Sequence, residues 1–171
     1  MALTQHQALT GAELHVPQVH DLLRHIIGGV DSRLQIVRAY RSANYALGTG
    51  AWTTVQLNAE TADTGGEFDT GAYLFTAAQP GWRLVIGQFT LINANANSAV
   101  SARLRHNGAQ VSHGPEIYTP INGATPAGLV EDIIYFAAGD TLDLQAWHNN
   151  VGAKNIAGGS AYTYLSIIGG F

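Results

Sequence analysis

The sequence predicts an all-β fold, an antiparallel β-sandwich, preceded by a short N-terminal arm and helix. Three observations predict it. From residue 33 onward the apolar residues recur with a period near two, the spacing of a strand with one face buried. Turn signals rich in Gly, Asn and Asp interrupt that pattern every 8–15 residues or so, with no helical stretch between them. The chain carries 20 glycines in 171 residues, scattered rather than clustered, as a turn-rich β-domain requires.

The helix comes first in the chain. Residues 1–15 are polar and aperiodic and read as an extended arm. In "VPQVHDLLRHIIGGV", Pro17 suits a first helical turn, and Val16, Val19, Leu23, Ile26 and Val30 follow the 3-4-3-4 spacing of a helical seam. Gly28 and Gly29 end it. A helix of about eleven residues is marginal alone. It must pack on something, either copies of itself about an axis or its own β-domain. This gives two segments: 1–31, an arm and helix for attachment or trimerisation, and 32–171, the sandwich.

The strands follow in order. "RLQIVRAYR" and "AWTTVQL" read as strands, and "NAETADTGGEFDTG" as a long acidic turn region. "YLFTA" and "WRLVIGQFTLI" are strands on either side of the turn "AQPG". In "SAVSARLRHNGAQVSHG", Val100, Ala102 and Leu104 alternate with Ser101, Arg103 and Arg105, and Asn107-Gly108 supplies a tight hairpin. "GLVEDIIYFAAGDTLDLQAWHN" is two strands around "AAGD", with Leu142, Leu144 and Ala146 on one face and Thr141, Asp143 and Gln145 on the other. "SAYTYLSIIGGF" is a closing strand, apolar on both faces, as expected of a strand covered on both sides.

Composition limits the function. Apolar residues make up 46% and charged residues 12%, a low charge content that fits a self-associating surface. The net charge of −4 argues against nucleic acid. The charge is uneven, about +1 over residues 1–45 and about −5 over the rest. There is no cysteine, hence no disulfide framework and no thiolate chemistry. No apolar run approaches the ~20 residues of a membrane span, so no membrane insertion is expected. The N-terminus lacks the basic-then-apolar order of a signal peptide, which points to synthesis in a cytoplasm.

No catalytic constellation emerges, and the expectation is that the protein is not an enzyme. There is no G-x-S-x-G elbow, phosphate-binding loop or H-E-x-x-H pair. Glu131 and Asp132, adjacent in a strand, point to opposite faces. His6, His15, His20 and His25 fall in the first 25 residues; His20 and His25, five apart, do not share a helical face, a threefold axis gathering one His from each subunit is the minor alternative, and no metal site is assigned. Glu60, Asp63, Glu67 and Asp69 are oxygen ligands of the kind calcium uses, but their spacing is not a calcium-loop motif. They read as an acidic surface loop, calcium being the minor alternative, and no cofactor is expected. Trp147, His148, Asn149 and Asn150 end a strand at a Gly-rich loop. Aromatic and amide groups together suit a saccharide; an ordinary loop tip with Trp147 partly buried is the plainer reading. Arg33, Arg38 and Arg41 lie close in sequence. They suit docking on an acidic capsid surface, or the charged exterior of an edge strand.

The order of these motifs resembles one family, the globular head of complement component q and the tumour necrosis factor-like jelly rolls. In "FDTGAYLFTAAQPGWRLVIGQFTL", Phe75-Thr76 and Pro80-Gly81 stand at the family's Phe-Thr and Pro-Gly positions, and Trp82 and Leu84 fall near the aromatic positions that follow. That aromatic pair is only partly kept. "IIYFAAGDTLDLQAW" places Gly139-Asp140 at the family's Gly-Asp turn, and "YTYLSIIGGF" resembles its closing strand. The resemblance covers about residues 36–171. It implies a jelly roll, a homotrimer about a threefold axis, ligand binding through apical loops, and no catalysis. It places Tyr162 and Tyr164 of the closing strand at the subunit interface, with Val19, Leu23 and Ile26 of the helix joining them if the helices associate. Leu165 and Ile167 would then face the core.

The segment "ALTGAELHVP" is similar to one in phage virion proteins. With no cysteine and no collagen-like stalk, it leads to a trimeric virion structural protein, a capsid decoration, head fibre or spike, made in the host cytoplasm. His15, Val16 and the three arginines would contact a capsid or tail protein of the particle. The alternatives are a tail-associated tip that binds a host surface glycan and a cellular, secreted ligand-binding module.

Overall fold

The computed structural model describes residues 34–169. His15, Val16, Val19, Leu23, Ile26 and Arg33, with the arm and helix expected of residues 1–31, lie outside the described residues. The described chain is all strand and turn. Its strands are β1 (Gln35–Tyr40), β2 (Tyr45–Leu47), β3 (Thr53–Thr54), β4 (Ala59–Asp63), β5 (Phe68–Asp69), β6 (Leu74–Thr76) and β7 (Gly81–Thr90). The second half adds β8 (Ser98–His106), β9 (Ala109–His113), β10 (Ile117–Thr119), β11 (Ala127–Phe136), β12 (Thr141–His148), β13 (Lys154–Ile156) and β14 (Tyr164–Gly169).

Two antiparallel sheets form the sandwich. One has the order β11-β7-β14-β1-β4. The other has the order β10-β8-β12-β6-β5, with β3 on β12 and β9 on β8. A short ribbon, β13-β2, lies apart. The order is a jelly roll: neighbours in space are distant in sequence, as when β1, the first strand, pairs with β14, the last.

The period-two pattern builds the core directly. Along β7, Val85, Gly87 and Phe89 are buried while Trp82 and Leu84 face outward. Leu104 of β8, Leu142 and Leu144 of β12, and Leu165 and Ile167 of β14 meet Phe75, Phe89 and Phe136 between the sheets. Gly87 has a packing reason: a Cβ there would lie 2.6 Å from Leu144 Cδ1. The β8–β9 hairpin turns on Asn107 and Gly108, both at positive φ (51° and 78°), as a tight two-residue turn demands.

Three sequence expectations need correction. The acidic segment 58–71 is not all turn: it contains β4, which pairs with β1, and the short β5. β4 is an edge strand, where charged side chains keep the open backbone from pairing further. Consequently β1 is an inner strand between β14 and β4, so Arg38 does not sit on an edge strand. The closing strand starts at Tyr164, so Tyr162 lies in the turn before it, tied by its N–H to the Gly159 carbonyl.

Candidate binding surfaces

The outward face of the five-stranded sheet is the first candidate. Strand register sets its rows. Tyr135 lies beside Trp82. In the next row Ile133, Leu84, Ile168 and Ile36 stand side by side across β11, β7, β14 and β1. Then come Glu131, Ile86, Ser166 and Arg38, and finally Leu129, Gln88, Tyr164 and Tyr40. The inward face of these strands is the core, but this face keeps Trp82 59%, Ile133 64% and Tyr135 50% exposed. The expectation that the closing strand is covered on both sides therefore holds for one side within the chain. Leu165 and Ile167 are fully buried, whereas Ile168 stays open.

On this face Arg38 lies flat against Tyr164, its Cζ 3.5 Å from the ring centroid. It also donates to the Ser166 hydroxyl and to the Ser160 carbonyl (2.8 Å). Arg41 donates to the carbonyls of Ala43 (2.7 Å) and Gln56 (3.3 Å) and lies over Tyr45. Both guanidiniums are thus held by their own subunit, and both residues contact the 159–163 segment.

The four acids of the 60–69 region have separate duties. Asp63 accepts the backbone N–H groups of Gly65, Glu67 and Phe68. Asp69 caps Gly71 and Ala72, and those N–H groups hold its carboxyl below the usual carboxylate range. Glu60 is exposed on the edge strand; partial burial and then the Asp63 charge push its pKa up. Glu67 is a core residue, fully buried and ion-paired with Arg83.

The second candidate is the solvent face of the other sheet. The Trp147–Asn150 set divides by alternation. Trp147 points out. His148 points inward and is wholly buried, its Nε2 donating to the Leu47 carbonyl (3.2 Å) while its Nδ1 accepts the Asn150 N–H (3.2 Å). Burial lowers its pKa, opposed in part by the Leu47 bond. Asn149 accepts the Ala99 N–H (2.6 Å), and buried Asn150 accepts the Asn95 N–H (2.6 Å) and the Ser98 hydroxyl (3.0 Å). His148 and Asn150 are therefore buried loop anchors, Asn149 is exposed with only its Oδ1 engaged, and Trp147 is partly open to solvent. Its partners were not singled out from sequence. Trp52, just ahead of β3, sits 6.2 Å from it with the rings tilted by 32°, and His113 of β9 meets the Trp52 ring edge-on at 5.2 Å. Arg103 of β8 stacks on Trp52 at 4.5 Å. A guide existed: in strands residues two apart share a face, so Asp143, Gln145 and Trp147 had to lie together.

No protein-family model matches the sequence, and no curated protein sequence does. Solved structures do. Eiger TNF from S. frugiperda superposes with a TM-score of 0.62 at 10% identity, covering 80% of this chain and 92% of that one. Murine APRIL gives a TM-score of 0.60 at 9% identity, covering 80% and 98%. The globular domain of zebrafish complement 1qA protein gives 0.52 at 12% identity, covering 80% and 97%. The β-domain thus has the jelly-roll fold of the tumour necrosis factor and complement component q heads.

Proposed function

We propose that the protein is a non-enzymatic structural subunit that works as a homotrimer and serves a phage particle as a capsid decoration, head fibre or spike. The observation that carries the assembly is the apolar outward face of the five-stranded sheet. Trp82, Leu84, Ile133, Tyr135 and Ile168 form one continuous patch, which an isolated subunit must leave in water. Covering it with a second copy recovers about 25 cal/mol for each Å² of apolar surface removed from water. The patch spans β11, β7 and β14, and a neighbour's different surface can meet it around a closed ring. The family resemblance implies three copies.

The particle role is supported by the sequence alone: the "ALTGAELHVP" segment, the absence of cysteine, and the arm ahead of the β-domain. In this reading the arm joins a capsid or tail protein of the virion. The β-domain's chain geometry fits outward projection. β1 starts and β14 ends side by side, Gln35 opposite Gly169, while the loops after β7, β10 and β12 meet at the other end.

Light scattering should give three times the 18.1 kDa chain mass. The purified full chain should cosediment with undecorated particles, and a chain lacking residues 1–31 should not. A monomer at micromolar concentration sinks the assembly. Full decoration by the truncated chain moves the attachment surface onto the jelly roll.

A further inference from the structure

The solvent face of the second sheet holds a cation with no ion-pair partner among the described residues. Arg103 and Arg105 project from β8 on the same face, two residues apart. Arg105 is paired with Asp143, Nη2 to Oδ2 at 2.9 Å. Arg103 is not: its Nε donates to Gln145 Oε1 (2.8 Å) and its Nη1 to Gln110 Oε1 (2.9 Å), both neutral amides. Among the described residues no carboxylate lies within ion-pair distance of it. Two of a guanidinium's five N–H donors are thereby used, and Nη2 keeps both of its own. Desolvation, and then the like charge of Arg105, act against the charged form, with Asp143, already paired to Arg105, opposing them; an arriving anion would add counter-charge.

The surroundings of that cation are aromatic. Trp52 stacks on it, His113 closes on the Trp52 edge, and Trp147 continues the surface. Trp52 and Trp147 are each partly open to solvent. The patch is rigid underneath. Gln145 and Asp143 are almost wholly buried, and Thr54 bonds to Asp143 (2.8 Å), which pins β3, and with it Trp52, to β12. Indole faces take the C–H face of a pyranose ring, and a guanidinium takes a carboxylate through two parallel N–H···O bonds.

We infer that this face, built by Trp52, Trp147, Arg103 and His113, is a binding site for an acidic saccharide, a sugar residue bearing a carboxylate such as a sialate or uronate. The sugar ring lies on the two indoles and its carboxylate meets the free edge of Arg103. Charge complementarity selects the acid: the chain as a whole is net negative, so a lone unpaired cation set among aromatic rings is a local feature and not part of a basic surface. The site does not depend on trimer formation, because all its residues belong to one chain, on or next to one sheet. It is also separate from the apolar face assigned to assembly.

The test uses the full chain and four probes: sialyllactose, a short oligoglucuronate, neutral lactose and a short oligoglutamate peptide. Binding is read by tryptophan fluorescence and saturation-transfer NMR. At least one acidic saccharide should bind, lactose should bind about tenfold or more weakly, and the peptide should not perturb the tryptophans. Arg103→Gln should abolish the preference for the acidic sugar over lactose, and Trp52→Ala should remove binding of both. Arg103→Lys keeps the charge without the fork and should restore only part of the preference. Thermal melting confirms that each variant is folded. Equal binding of lactose and sialyllactose, binding of the peptide alone, no binding of any acidic sugar, or an unchanged preference in a folded Arg103→Gln chain each overturns the assignment. None of these outcomes bears on the chain mass that tests the assembly.

Discussion

Glu67 and Arg83 face each other inside the core, both side chains wholly buried, with Arg83 Nη1 2.5 Å and Nη2 2.8 Å from the two carboxylate oxygens. Glu67 Oε1 also accepts the Ala78 N–H (2.7 Å), and the guanidinium lies near the rings of Phe75 and Phe136. The pair thus fastens the β6–β7 turn to the segment ahead of β5. A buried pair of this kind adds little over a well-packed apolar pair, but losing one partner leaves an uncompensated charge. Glu67→Ala should therefore cost about 3–5 kcal/mol in chemical denaturation. A loss below about 1 kcal/mol would show that water reaches Arg83.

His148 gives the fold a pH dependence. Neutral His148 donates from Nε2 and accepts at Nδ1, and protonation at Nδ1 sets two donors against each other at Asn150. Its folded-state pKa lies below the ordinary 6.5, chiefly through burial. The folded chain therefore binds fewer protons than the unfolded chain. This contribution is complete above about pH 6.5 and falls as pH drops below that value. The lowered carboxyls of Asp69 and Asp140 titrate below their ordinary 3.8 and lie outside that window. Melting temperature should drop between pH 7.5 and 5, and the drop should be smaller in His148→Gln. Equal slopes in the two proteins would remove His148 as the cause.

The sandwich was legible because strands such as β7 alternate and its turns carry position-specific residues. Asn107-Gly108 and Gly139-Asp140 both turn where the sequence placed them. Glu67 was not legible as a core residue. Its partner Arg83 reaches it only after the chain folds back through β6, and one acid among four in a polar stretch reads as surface. β4 was missed for a related reason, since an edge strand can be as polar as a loop. The inward turn of His148 was available from alternation with Leu144 and Ala146, but its polarity argued for a loop. The Trp52–Trp147 contact depends on β3 pairing with β12, a long-range register that local pattern does not carry.

Gly87 tests how tightly the two sheets are packed. It sits in the middle of β7, where glycine is otherwise unfavourable, and Leu144 of the opposite sheet fills the space a side chain would take. Gly87→Ala should be destabilising by about 1–3 kcal/mol despite the gain in strand propensity. A chain melting at or above the parent temperature would mean that Leu144 finds another rotamer without loss.

The two faces of β14 should separate folding from assembly. Leu165 lies fully in the core, so Leu165→Ala should cost about 2–5 kcal/mol in the subunit itself. Tyr164, one residue earlier, points the other way and carries Arg38 on its ring. Tyr164→Ala removes that stack, worth about 0.5–2 kcal/mol at a half-buried site, so its effect on the subunit should be smaller than that of Leu165→Ala. If the outward face is the contact between copies, Tyr164→Ala should weaken association. Ile133→Glu, which adds a second acid two residues from Glu131 on an open surface, should abolish it while leaving the melting of the monomer nearly unchanged. Sedimentation alongside thermal melting reads both quantities on the same samples. A trimer that survives Ile133→Glu at micromolar concentration would place the contact between copies on some other surface.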